Sequence, residues 1–202
     1  MDEFKYEIDP RAYAMFDEPM FNLFRYKEYL CCIQRNSMFG TLNGYAAVDC
    51  YHPLYKHHFT DKVIVKDLGK IKFNNNFIGL MLTDPIEASA NIVSLDMVID
   101  VHCGLTYSDN RCPLIDPDIF PGLWWFGFDT NHSGDVMPFV ISFAGRRMNS
   151  FDSYTYKSFA YVKREIKKLV EGLIIFEPQR SDIEETYIRY KRKKSLHTFA
   201  PL

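Results

Sequence analysis

Leu123-Trp124-Trp125-Phe126-Gly127-Phe128 is an apolar run that stops abruptly at Asp129-Thr130-Asn131-His132-Ser133-Gly134-Asp135. Six residues is the length of a strand rather than of a buried helix. The lack of alternation predicts a strand covered on both faces. A strand that ends in Asp129, His132 and Asp135, with Gly134 permitting a tight backbone, is expected to deliver these side chains to one rim of a sheet. Upstream, Val98-Ile99-Asp100-Val101-His102 alternates apolar and polar positions, which predicts a second strand ending at His102. Thr106-Tyr107 is expected to continue a short strand after a bend at Gly104. Between the two segments, Ser108 to Pro121 carries three prolines and three aspartates and reads as an irregular loop, the kind of connection that often bears function.

Working outward, Leu30-Cys31-Cys32-Ile33-Gln34-Arg35 and Gly44-Tyr45-Ala46-Ala47-Val48 read as a strand pair, with Asn43-Gly44 as the turn signal between them. Lys62 to Val65 is a further small strand. Phe77 to Leu82 is apolar, and Asp84-Pro85 predicts a short capped helix. Phe139 to Phe143 is another apolar run. Val162, Ile166, Leu169, Val170 and Leu173 recur at helical spacing behind Ser158, a suitable cap, so residues 159–173 read as an amphipathic helix with Lys163, Arg164, Lys167 and Lys168 on its wet face.

Residues 11–30 are aromatic-rich, are interrupted by Pro19, and read as a helical arm. Ser181-Asp182-Ile183-Glu184 fits a capping box for a last helix that reaches about Lys191. The expected architecture is α+β: a mainly antiparallel sheet, a long C-terminal helix packed on it, and helical terminal arms. The expected divisions are an N-terminal arm (1–29), a core domain (30–176) and a charged C-terminal helix with a basic tail (177–202).

With 47% apolar and 16% aromatic residues, the 202-residue chain has ample material for a core and is not expected to be disordered. No apolar run approaches the roughly 20 residues of a membrane span, and Met1-Asp2-Glu3-Phe4-Lys5 is unlike a signal peptide, so a cytoplasmic location is expected. The five cysteines lack zinc-type spacing and read as reduced thiols. From Leu82 to Asp135 there are nine carboxylates against Arg111 alone, which favours a cation or a basic partner over nucleic acid. Nucleic acid is expected only at the basic tail, Lys191-Arg192-Lys193-Lys194.

His102, Asp129, His132 and Asp135 are the candidate catalytic or metal-ligating residues. Two imidazoles with carboxylates suit a divalent cation, or an acid–base pair, or a purely structural knot of caps and hydrogen bonds. Trp124 and Trp125 should face opposite sides of their strand. One is expected in the core and the other as a stacking platform, so Tyr107, Trp124, Trp125, Asp129 and His132 form the candidate ligand-binding set. Cys103 should point away from its strand neighbour His102, which argues against a Cys–His nucleophile. His52, His57 and His58 read as surface or loop-packing residues.

The strings His102-Cys103-Gly104-Leu105-Thr106-Tyr107-Ser108, Trp124-Trp125-Phe126-Gly127-Phe128-Asp129 and His132-Ser133-Gly134-Asp135, preceded by Gly44-Tyr45-Ala46-Ala47-Val48 and His52-Pro53-Leu54-Tyr55, resemble a family of small bacteriophage and prophage proteins. That family carries a pattern like HGGLTYS…WWFGFDCAHAGD. The likeness extends in order through Tyr161-Val162-Lys163 and covers roughly residues 30–173. Cys103 stands in place of a glycine, and Asn131 in place of a small residue. The resemblance implies a phage-type accessory protein in a host cytoplasm, binding a host factor or a small nucleotide-like ligand. A counter-defence role, as an anti-CRISPR-like inhibitor or a signal sponge, follows from that origin. The alternative expectation is a metal-dependent nucleotide or phosphoester hydrolase. A third is an acidic decoy presenting Asp96 to Asp135 outward as a phosphate mimic.

Overall fold

The computed structural model describes residues 13–65, 90–144 and 153–177. A 3-10 turn at Ala14–Asp17 leads into β1 (Phe21–Tyr26), β2 (Tyr29–Arg35) and β3 (Leu42–Val48). Then come β4 (Lys62–Ile64), β5 (Ile92–Ser94), the one-turn helix α1 (Leu95–Val98), β6 (Tyr107–Asp109), β7 (Trp124–Phe128), α2 (Pro138–Ala144) and α3 (Phe159–Ile174). The main sheet has the order β1-β2-β3-β7-β6 and is antiparallel throughout, while β4 and β5 form a separate antiparallel pair. The architecture is α+β, with α3 packed on the sheet against β3 and β2.

The alternation of side chains divides the core into two layers. Ile33, Leu42, Ala46, Phe126 and Phe128 meet Val162, Ile166, Leu169 and Leu173 of α3 on one face. On the other face Cys32, Tyr45, Ala47 and Trp125 are covered by Cys112, Ile115, Phe120 and Leu123 of the proline-rich loop. β7 is therefore buried on both sides. Ser158 caps α3, its hydroxyl accepting from the Tyr161 N–H.

Several expectations need correction. Asn43-Gly44 is not a turn: both residues lie inside β3, and the chain reverses between Arg35 and Leu42. A Cβ on Gly44 would sit 2.6 Å from the Phe128 ring and 2.8 Å from Ile166 Cγ1, so this glycine sets how closely α3 approaches the sheet. Residues 21–26 are strand rather than helical arm, and the boundary after residue 29 cuts a hairpin in which Tyr26 pairs with Tyr29. Its two turn residues, Lys27 and Glu28, both have positive φ (45° and 59°), as a two-residue primed turn requires. Neither is the asparagine or glycine that signals such a turn in a sequence.

Val98 to His102 is not a strand. α1 ends at Val98, and the chain turns through Val101–Gly104, with Gly104 N–H bonded to the Val101 carbonyl at 3.0 Å. The apolar run at Phe139–Phe143, to which the sequence assigns no element, lies within α2. His52 is buried, its Nδ1 accepting from the Leu54 N–H and its Nε2 facing the Leu173 carbonyl, so it ties the loop after β3 to the end of α3. The apolar run from Phe77, the helix after Asp84, the last helix from Ser181 and the tail Lys191, Arg192, Lys193 and Lys194 lie outside the described residues. Among the described residues, no helix is long and apolar enough to cross a membrane.

Candidate functional site

Three pieces of chain build one rim of the sheet. The first is the turn after β7. Asp135 closes it, accepting the His132 N–H on Oδ2 at 3.0 Å and donating its own N–H to the His132 carbonyl. Gly134, at φ +92°, permits the bend. Thr155 then fastens the turn, exchanging backbone hydrogen bonds with Gly134 and Val136. The second piece is the Val101–Gly104 turn, which carries His102. The third is the start of α3, which carries Tyr161.

His102 sits between the other two. Its Nε2 lies 2.8 Å from Asp135 Oδ2, and its Nδ1 lies 2.9 Å from the Tyr161 hydroxyl. Burial pushes the Tyr161 phenol up to about 12, and the Glu165 and Asp135 carboxylates add to the shift. Tyr161 therefore keeps its proton, and the His102 ring links the phenol on one side to the Asp135 carboxylate on the other. Burial alone would raise the Asp135 carboxyl, but the His102 hydrogen bond and charge, the His132 N–H and Lys157 together hold it below the ordinary value. Lys157 Nζ lies 3.4 Å from Asp135 Oδ1 and stands over the Tyr161 ring. Asp135, His102 and Tyr161 thus form a closed chain in which every polar atom has a partner.

A second carboxylate–imidazole pair lies beside the first and is more open. His132 Nε2 is 2.8 Å from Asp129 Oδ1, and both side chains are nearly a third exposed. The contact lacks the alignment of a hydrogen bond, so this nitrogen is close to charge but unsatisfied. With its nitrogen turned toward Asp129, the Asn131 amide donates to the same carboxylate. The two imidazole rings are 5.6 Å apart, centre to centre. A cavity of about 200 Å³ opens at His132, with Asn131, Ser133 and Asp135 on its polar side and Val136, Met137 and Ile141 on its apolar side.

All four sequence-predicted residues, His102, Asp129, His132 and Asp135, therefore converge. As a metal centre they do not fit: among the described residues, no group of three or more His, Cys, Asp or Glu is placed to hold an ion. The cause is visible in the bonding, since both nitrogens of His102 and both oxygens of Asp135 are already engaged.

The ligand-binding set divides. Trp125 is buried beneath the proline-rich loop, in the same layer as Tyr107. Tyr107 packs edge-on against Tyr45 at 5.3 Å and donates to the Arg111 carbonyl at 2.7 Å. Trp124 packs on the α3 side, with its indole N–H bonded to the His57 carbonyl at 2.9 Å. It starts β7, roughly 13 Å of strand from Phe128 at the other end. Only Asp129 and His132 of that set share a site, and neither tryptophan stacks there.

Sequence reasoning missed two participants. Tyr161 falls on the helix that the sequence marks as packing, with no cue to its hydrogen bond. Cys103 was expected to face away from His102. At φ 54° it breaks strand alternation and places its Sγ 3.8 Å from His102 Nε2. Burial and the Asp135 and Asp129 carboxylates raise the Cys103 pKa, so the thiol stays protonated and is a poor nucleophile. The carboxylates of a decoy would point outward. Asp129 and Asp135 instead face histidines, and Asp109 and Asp116 accept from backbone N–H groups of their own loop.

Comparison with protein-family models, with curated proteins and with solved structures finds no match.

Proposed function

We propose that the protein is a phage-type accessory protein that binds a small ligand at the His132 cavity. The observation that carries the reading is the division of labour between the two imidazoles. His102 is fully committed within the fold, whereas His132, whose Nε2 faces Asp129 without an aligned hydrogen bond, lines a cavity that is apolar on its other side. A buried polar atom without an aligned partner is costly to leave unmade, so a ligand that supplies the partner is favoured. The cavity is smaller than the roughly 300–1,000 Å³ of drug-sized sites. No lysine or arginine is among its lining residues. Those features favour a neutral heterocycle, such as a nucleobase or the base of a nucleoside, over the phosphates of a nucleotide. The resemblance to phage proteins supports an accessory role, with a host-derived signal molecule as the ligand.

Calorimetric titration of adenine, cytosine, adenosine and AMP tests this. Base and nucleoside should bind, AMP should bind no more tightly, and His132→Ala should weaken binding at least about tenfold while leaving the melting temperature nearly unchanged. Absence of binding by all four at millimolar concentration, or unchanged binding by the variant, overturns the reading. Phosphodiester cleavage that requires added Mn²⁺ would favour the hydrolase instead.

A further inference from the structure

A further cleft lies away from His102 and His132. It has a volume of about 420 Å³ and sits where the tip of the β1–β2 hairpin, the end of β3, the loop before β7 and the end of α3 meet. We infer that this cleft is a second binding site, for a small organic cation: a protonated amine carried on an apolar or aromatic body.

Charge is the first argument. Glu28, Asp49 and Glu177 line the cleft from three different elements, and Arg25 is the one basic side chain among its lining residues. Arg25 Nη1 donates to the Glu28 backbone carbonyl rather than to a carboxylate. Among the described residues, no ion pair to Glu28, Asp49 or Glu177 forms, and at least one carboxylate oxygen of each has no partner. Glu177 accepts from the Tyr29 hydroxyl on Oε1, and Asp49 accepts from the Tyr51 N–H on Oδ1. His52, also on the wall, does not offset the carboxylates: burial lowers its pKa despite the Leu173 carbonyl and the nearby Glu177 and Asp49 charges, so it stays neutral.

Shape is the second, independent argument. The walls between the carboxylates are Tyr29, Phe120, Leu30 and Leu123, and Tyr29 is held in place by its bond to Glu177 and by an edge-on contact with His52 at 6.2 Å. A cleft of carboxylates alone would be matched by a hydrated metal ion. One with aromatic and aliphatic walls also desolvates a carbon skeleton, and an ammonium close to an aromatic face gains cation–π attraction. An anionic ligand faces three carboxylates against one guanidinium. Nucleotides and phosphorylated compounds are thereby disfavoured, and the preference for a cation distinguishes this site from the neutral-ligand site at His132.

The test uses the full chain with 2-phenylethylamine, spermidine and benzoate as probes, followed by calorimetry and by NMR of isotope-labelled protein. Phenylethylammonium should bind, with shifts at Tyr29 and Phe120 and none at His132. Benzoate should be rejected. The double variant Glu28→Gln, Asp49→Asn keeps the hydrogen-bonding capacity and shape of both side chains and should fold normally. It should bind phenylethylammonium roughly tenfold more weakly. Binding of benzoate as tight as that of the amine overturns the inference, as does unchanged affinity in the double variant or silence of all three probes at millimolar concentration. Spermidine binding without phenylethylammonium binding would overturn the aromatic-body part and leave a diffuse charge effect. Because the readout is at Tyr29 and Phe120, its failure is separable from failure at His132.

Discussion

At the scale of single residues, Asp135 is the group on which the candidate site depends. It closes the turn after β7, orients His102 and faces Lys157, with its side chain only 3% exposed. Asp135→Asn keeps an acceptor but removes the charge, and should cost about 2–4 kcal/mol at neutral pH, as measured by urea unfolding. The pH dependence carries the sharper signature. The folded carboxyl lies below its ordinary value, which is about 3.9 in an unfolded chain. Its contribution is therefore fully present above about pH 4 and is lost as pH falls through the folded value. Asparagine does not titrate, so the gap between the two proteins should be widest near neutrality and close in acid. A gap of constant size would show that the charge of Asp135 contributes nothing. His52, whose folded pKa is also lowered, erodes stability from about pH 6.5 downward, but equally in both proteins, so it cancels in the difference.

At the scale of elements, β7 shows what a sequence can and cannot convey. An unbroken apolar run means burial on both faces, and that reading holds for Trp125, Phe126 and Phe128. The helical spacing behind Ser158 likewise gives α3 within one residue of its observed end. Both signals are local and repeated. Asn43-Gly44 misleads because the same glycine that permits a turn also permits close packing, and only the tertiary partners, Phe128 and Ile166, decide between the two. At the site, His102, Asp129, His132 and Asp135 were legible as a cluster, although His102 reaches it from a turn rather than from the strand end that the sequence suggested. The hydrogen bond of Tyr161 was not, since it comes from a helix about 60 residues away from His102 in sequence. The stacking role for a tryptophan fails for a related reason: the lone polar atom of Trp124 is bonded to His57, and its ring is packed. Trp125→Ala should cost about 3–5 kcal/mol, and Trp124→Ala, which removes a half-buried ring and one hydrogen bond, about 2–3 kcal/mol. Neither change should alter ligand affinity at His132 in a variant that remains folded. A selective loss of binding in Trp124→Ala, with stability intact, would restore the stacking role.

At the scale of the molecule, the question is whether the segment before residue 30 is an appendage. The expectation drawn from the family resemblance, which begins near residue 30, treats it as one. The contacts argue otherwise. β1 forms one edge of the main sheet, paired with β2 over six positions. Phe24 and Tyr26 pack against the main core cluster. Just ahead of β1, Glu18 joins three elements. Its Oε2 pairs with the buried Arg35 guanidinium at 3.2 Å and accepts from the Tyr156 hydroxyl, and its Oε1 accepts from the Phe159 N–H at the first turn of α3. Arg35 also donates to the Gly40 carbonyl, so it is anchored from within the body and would remain there, charged and buried, if Glu18 were removed. Stranding one member of a buried ion pair typically costs about 3–5 kcal/mol. Deleting residues 1–29 adds the loss of a whole strand to that cost, against a total stability of only about 5–15 kcal/mol for an ordinary domain. The deletion should therefore abolish the cooperative melting transition, as followed by circular dichroism. Glu18→Ala in the full chain should melt cooperatively, but be destabilised by about 3–5 kcal/mol. A truncated chain that still melts sharply would return the segment to the status of an arm, and would mean that β2 can serve as an edge strand with Arg35 satisfied by Gly40 and Tyr156 alone.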